Sequence, residues 1–248
     1  MDKTAIIIPA YNEEGTIKRI LVDVDKAMKE KCNKKENQGD NQNICAGYDI
    51  IVVNDCSKDD TLKIVNSLKK KIKNLGVFSN EKNMGKTRTL LHGIEKSTSG
   101  IIVFIDADYQ QDPKDIPHII EQIKHDGADI CCGKRINRKD SFYRKFISFF
   151  FNLFNRAMFG IRIDDINCGL KGFRKEVFKN MTIKYPQAKW FFDTELLGRA
   201  YAKGMKVTQA DVRHYLRTEG VSKINGLKAA AETVFYGILL KIDLIFNR

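Results

Sequence analysis

Residues 101–110 read Ile-Ile-Val-Phe-Ile-Asp-Ala-Asp-Tyr-Gln, an unbroken apolar run that ends abruptly in two acids. A continuous run of β-branched and aromatic residues predicts a strand covered on both faces. Two runs of the same kind precede it, TAIIIPA at 4–10 and YDIIVVN at 48–54. A weaker one lies near 76–79, and DICCG follows at 129–133. Helical patterns fill the intervals at 13–31, 59–73, 86–97 and 114–125. This alternation predicts an α/β fold, a mostly parallel sheet joined by right-handed crossovers and flanked by helices.

Farther along, 141–159 is an aromatic-rich helical pattern, 164–172 a loop, 192–203 a helix and 206–212 a strand. The polar segment 33–47 reads as a surface insertion. One domain is expected over 1–225, followed by an amphipathic C-terminal helix over 226–248 that meets a membrane surface or a second copy of the chain.

In an open parallel sheet, ligands lie beyond the carboxyl ends of the strands. The first strand ends in Pro9-Ala10-Tyr11-Asn12-Glu13, the second in Val53-Asn54-Asp55-Cys56-Ser57, and the fourth in Asp106-Ala107-Asp108-Tyr109-Gln110. Asp106 and Asp108 would repel each other at the end of a buried strand unless a cation lay between them. Their hard oxygens suit Mg2+ or Mn2+, and Gln110 adds a neutral amide oxygen. Each cluster also has a plainer reading. Asp-x-Asp can cap the next helix, with Asp112-Pro113 as its start; Asn12 can cap the first helix; Asp55 can be a turn residue. Neither G-x-G-x-x-G nor G-x-x-x-x-G-K occurs, which argues against a dinucleotide cofactor or a P-loop.

IIIPAYNE at 6–13, IVVNDCSKDDT at 51–61, Asn83-Met84-Gly85-Lys86 and DADYQ at 106–110 resemble the family 2 glycosyltransferases of the GT-A (Rossmann-like) fold. Within them the likeness is to dolichyl-phosphate mannosyltransferases and related polyprenyl-phosphate sugar transferases, over nearly the whole chain to about residue 225. The resemblance implies that Pro9, Tyr11, Glu13, Val53, Asp55, Asp106 and Ala107 hold the nucleotide sugar. It implies metal ligation by Asp106, Asp108 and Gln110, and closure over the diphosphate by Arg217 and Lys223. Asp165, in the DDINCG stretch, occupies a family motif near the reacting centre, where a positioning role is expected, although an Asx-turn explains it nearly as well. Asp193 and Glu195 either face the acceptor or serve as first-turn acids of their helix. Asn54 departs from the family, which often has a second aspartate there; the 33–47 insertion is longer than usual.

The chain of 248 residues carries a net charge of +12, which points to an anionic partner. Residues 134–179 hold 12 Lys/Arg against 4 Asp/Glu. Arg144 and Ser148 share a helix face. With Arg135 they form a candidate guanidinium-hydroxyl cradle for a phosphate, and the resembling family binds its lipid phosphate at these three positions. Phenylalanines at 146, 149, 150, 151 and 154 suit a helix lying in lipid headgroups, the alternative being a basic outer face over an aromatic core face.

These readings converge on an inverting, metal-dependent hexosyltransferase in which Asp108, Asp165 and Arg144 serve the chemistry. The favoured transfer is of mannose from GDP-mannose to dolichyl or polyprenyl phosphate. UDP-sugar donors and a saccharide hydroxyl acceptor are the alternatives. A nucleic-acid-binding module ranks far lower, because it leaves the two acids unexplained. No apolar stretch approaches the roughly 18 residues of a spanning helix, no signal peptide is recognised, and the six cysteines lack regular spacing. The expectation is therefore a cytoplasmic chain with reduced thiols, bound peripherally to the cytoplasmic face of a membrane.

Overall fold

The computed structural model describes residues 3–33, 47–136, 142–216 and 226–246. The insertion expected at 33–47 lies almost wholly outside them. Seven strands form one sheet: β1 (Thr4–Ala10), β2 (Tyr48–Asn54), β3 (Leu75–Ser79), β4 (Ile101–Phe104), β5 (Ile130–Ile136), β6 (Lys171–Arg174) and β7 (Val207–Arg213). Their spatial order is β3-β2-β1-β4-β6-β5-β7. Six strands run parallel, and β6 lies antiparallel between β4 and β5.

The continuous apolar runs are buried on both faces, as their patterns predict. Ile6 and Ile8 of β1 enter one core with Ile50 and Val52, while Ala5 and Ile7 enter the other with Ile51 and Val53. Helix α1 (Ile17–Asn33) closes the first core with Ile17, Ile20, Leu21, Val24 and Met28, an i, i+3, i+4, i+7 stripe. Helices α2 (Thr61–Leu68) and α4 (Ile116–Lys124) lie on the same side. Helix α3 (Lys86–Lys96) closes the second core. It approaches closely because Gly93 has no side chain: a Cβ there would stand 2.5 Å from Ile7 Cγ2.

Helix α5 (Phe142–Phe159) matches its sequence pattern. The expected loop 164–172 is shorter than its pattern suggests, because β6 begins at Lys171 and is followed by the single turn α6 (Glu176–Lys179). Composition hides β6: Lys-Gly-Phe-Arg has little strand propensity, and pairing on both sides supplies the order. Helix α7 (Phe192–Ala202) backs the second core, and α8 (Gly226–Phe246) packs on α7 and α5. Leu240 of α8 is fully buried against this layer, whereas Val234, Phe235, Ile238, Ile242 and Ile245 are exposed. Among the described residues no helix is long and apolar enough to cross a membrane.

The expectation of six reduced thiols is corrected at Cys32, which is disulfide-bonded. Cys56, Cys131, Cys132 and Cys168 are free thiols. Disulfide formation depends on the approach of two Cα atoms in space, which spacing along the chain does not reveal.

Candidate active site

The three polar clusters meet at one edge of the sheet. Each contains a non-glycine residue with left-handed backbone: Asn12 (φ 55°), Cys56 (φ 61°) and Tyr109 (φ 59°). Such conformations cost free energy and collect at functional sites.

Cross-links join the first two loops. The Asn12 N–H donates to Ser57 Oγ at 3.0 Å, and its Oδ1 accepts from Lys58 N at 2.8 Å. Asn12 therefore ties two loops together and caps no helix; α1 begins later, at Ile17. The Glu13 N–H donates to Thr61 Oγ1 at 2.8 Å, and the Glu13 carboxylate accepts from Thr16 Oγ1. Pro9 and Tyr11 are half-buried at the rim. The side chains of Val53 and Ala107 instead belong to the two cores beneath it.

Asp55 is buried, and its carboxylate organises the next loop. It accepts from Asn80 Nδ2 at 2.7 Å, Met84 N at 2.7 Å and Gly85 N at 2.9 Å. These bonds fix the Asn83–Lys86 stretch, so Asp55 sets the start of α3 as well as the floor of the mouth.

Four charged side chains alternate in sign at the end of β4. Lys86, the first residue of α3, pairs with Asp106 at 2.5 Å. Lys171, 1% exposed at the start of β6, pairs with Asp193 of α7 at 2.9 Å and donates to the Cys168 carbonyl. Burial opposes the charge on Lys86, but Asp106 and then Asp193 outweigh it and hold its pKa above that of an ordinary lysine. Lys171 is likewise raised: burial works against its charge, and Asp193 leads the groups that overcome it.

Gly169 forms a wall behind Asp106. A Cβ on it would stand 2.7 Å from Asp106 Cγ and nearer still to Oδ2. Asp108 accepts from the Gln110 N–H at 3.1 Å. Tyr109 turns away, donating to Asp23 beneath the Arg19 guanidinium. Asp112, not the Asp-x-Asp pair, caps the following turn by accepting from Lys114 N at 2.9 Å.

At the end of β5, Arg135 and Asp165 form a two-pronged pair, with Nε to Oδ2 at 2.6 Å and Nη2 to Oδ1 at 2.7 Å. Both side chains are largely buried. Asp165 thus holds Arg135, a partner thirty residues away. Lys134 and Asp164 pair beside them at 2.8 Å, and Asn152 of α5 donates to the Asp164 carbonyl. Ser148 is half-buried on α5. The Arg144 side chain, Arg217 and Lys223 lie outside the described residues. Glu195 points into the protein interior: it is fully buried and accepts from Arg199, Lys184 N and Tyr185 N.

Residues 5–182 match the model of glycosyl transferase family 2. The chain belongs to that family. It is 30% identical over 90% of its length to an uncharacterised protein of Methanocaldococcus jannaschii, spanning 92% of that protein. It is 28% identical to the dolichyl-phosphate beta-glucosyltransferase of Dictyostelium discoideum, and also to the dodecaprenyl-phosphate galacturonate synthase of Rhizobium johnstonii. These matches cover 84% and 88% of this chain but only 65% and 61% of the relatives. The fold resembles glucosyl-3-phosphoglycerate synthase of Mycobacterium tuberculosis, solved with Mn2+, UDP-glucose and phosphoglyceric acid. The TM-score is 0.68 and the identity 15%, over 98% of this chain and 79% of that one. The GT-A architecture expected from the motifs is thus present, with β6 as its antiparallel member.

For a family 2 glycosyl transferase, the donor atoms at the β4 end fit a hard divalent cation. Asp106 and Asp108 supply hard carboxylate oxygens, and Gln110 follows them in the same turn. Among the described residues no group of three or more His, Cys, Asp or Glu could close a metal site. Lys86 and Lys171 escaped the reading of the sequence as site residues. Lys171 had one weak signal, a lone lysine in the apolar and glycine-rich Cys168–Phe173 stretch, where a buried lysine requires an acidic partner.

Proposed function

We propose that this chain transfers a sugar from a nucleoside diphosphate sugar to the phosphate of a polyprenyl or dolichyl carrier, with inversion at the anomeric carbon. One observation carries the reading. The loop between α5 and β6 abuts Asp106 through Gly169 and grips Arg135 through Asp165, so a single segment spans the donor and acceptor sides.

Pro9, Tyr11, Glu13 and Asp55 would frame the nucleotide, with Arg217 and Lys223 over the diphosphate. Asp106, Asp108 and Gln110 would hold Mg2+ or Mn2+, which when bound stabilises the departing diphosphate. Arg135, oriented by Asp165, would join Arg144 and Ser148 on the acceptor phosphate. A phosphate monoester is already largely ionised at neutral pH, with a second pKa near ~6. The acceptor therefore needs alignment and charge compensation, and no general base. Asp193 is paired with Lys171 and Glu195 with Arg199, so both acids are engaged by buried cations.

Phe149, Phe150 and Leu153 of α5 and Phe235, Ile238 and Ile242 of α8 are exposed on helices that pack together. They supply an apolar surface for peripheral contact with the bilayer that contains the acceptor. The glucosyltransferase among the relatives, and the UDP-glucose bound by the structural neighbour, favour UDP-glucose over the GDP-mannose expected from the motifs.

The test is transfer from labelled UDP-glucose and GDP-mannose to dolichyl phosphate in vesicles with Mn2+. A product cleaved by mild acid is expected, since glycosyl phosphates are acid-labile. Asp108→Asn should abolish transfer, and Arg144→Ala should chiefly raise the KM for lipid. A product stable to acid would move the assignment to a saccharide hydroxyl acceptor.

A further inference from the structure

Lys171 and Asp193 were assigned no ligand above, yet they form an ion pair with a buried lysine that is felt electrostatically by Lys86, the partner of Asp106. Four elements converge there. Lys86 comes from α3 and Asp106 from the end of β4. Lys171 comes from β6, where it pairs directly with Phe104 of β4, and Asp193 comes from the first turn of α7. Lys171 is 1% exposed, so solvent does not compensate its charge. Its ammonium also bonds to the Cys168 carbonyl, next to the Gly169 wall behind Asp106.

We propose that Lys171 is a positioning residue of the cation site: by holding Asp193 it leaves Lys86 on Asp106, and so presets the charge that Asp106 and Asp108 offer to a divalent ion. The inference rests on the reading of Asp106 and Asp108 as cation ligands and deepens it. The four charges sum to zero. Remove the Lys171 charge, and Asp193 is left with an unpaired carboxylate that competes for Lys86, which already feels it. The net charge around Asp106 and Asp108 then becomes more negative. Remove the Asp193 charge instead, and the buried Lys171 ammonium is left uncompensated, which repels a second cation. Remove both, and the Lys86–Asp106 pair remains as it was.

The experiment is titration with Mn2+, following the free ion by electron paramagnetic resonance, on the full chain without nucleotide. Lys171→Met should bind Mn2+ at least threefold more tightly than wild type, and Asp193→Asn at least threefold more weakly. The double variant Lys171→Met/Asp193→Leu should lie within twofold of wild type. Opposite signs that cancel are not produced by general damage to the fold, which weakens binding in every variant. If Lys171→Met does not fold, Asp193→Asn and the double variant still decide. The double variant replaces a buried pair with apolar groups, an exchange that is often neutral for stability.

Affinity unchanged in a folded single variant, or a double variant as displaced as Asp193→Asn, overturns the positioning role alone. A wild type that binds no Mn2+ overturns the cation-site reading and this inference with it.

Discussion

Gly169→Ala is the smallest change that disturbs the acidic pair without touching a charge. The backbone of Gly169 is not left-handed, so alanine is allowed there and the effect is one of contact alone. The new Cβ would stand 2.7 Å from Asp106 Cγ, where ordinary contact begins at 3.4 Å. Oδ2 would stand nearer still, so the Asp106 carboxylate must retreat by more than about 0.7 Å, or the loop must give by as much.

Overpacking of this kind costs about 1–3 kcal/mol, and in a chain of this size each kcal/mol lowers Tm by about 2–4 °C. The functional cost is larger, because a misplacement of about 1 Å at a reacting centre lowers turnover on the order of 100-fold. We expect kcat to fall by about 10- to 100-fold with the lipid KM little changed, since Asp165 and Arg135 grip each other at the other end of the loop. Steady-state transfer with varied lipid, together with a thermal melt, measures both effects. Wild-type kcat in a folded Gly169→Ala protein would refute the claim that the loop wall places Asp106.

Two further outcomes follow from charge and burial. Burial alone would raise the Asp243 carboxyl, but hydrogen bonds from Lys184 and Arg199 outweigh it and hold its pKa below the ordinary 3.8. A carboxyl depressed by folding stabilises the folded chain above the unfolded pKa, and that contribution is lost as pH falls through the folded value. Chemical denaturation at stepped pH should therefore show wild-type stability falling more steeply below about pH 4 than that of Asp243→Asn; parallel curves would remove α8's anchoring role from this ion pair. Burial also pushes the Cys131 and Cys168 thiols up to about 11, and Cys132 up as well. In the folded chain at pH 8, Ellman's reagent should find Cys56 reactive and these three inert until denaturant is added; fast reaction of all four free thiols would contradict the described core.

The parts legible from the sequence are those written locally. A strand buried on both faces needs an unbroken apolar run, and β1 and β2 match theirs residue for residue. The polar clusters at 9–13, 53–57 and 106–110 mark where those runs stop, and the parallel architecture sets their stops at one edge. That is why the three clusters that meet at this edge could be picked out from the sequence. Only the tertiary structure decided how the charges pair. Asp55 is engaged by the loop ahead of α3, Asp165 by Arg135, Lys86 by Asp106, and Lys171 by Asp193. Each partner comes from another element, so no local pattern predicts it. The decisive case is β6, four residues of weak propensity that order only because β4 and β5 hold them from both sides. Its antiparallel course returns the loop from Asp164 to the mouth and buries Lys171 there. A buried ammonium is tolerable only where the fold brings a carboxylate to it, and that is a property of topology, not of neighbouring residues.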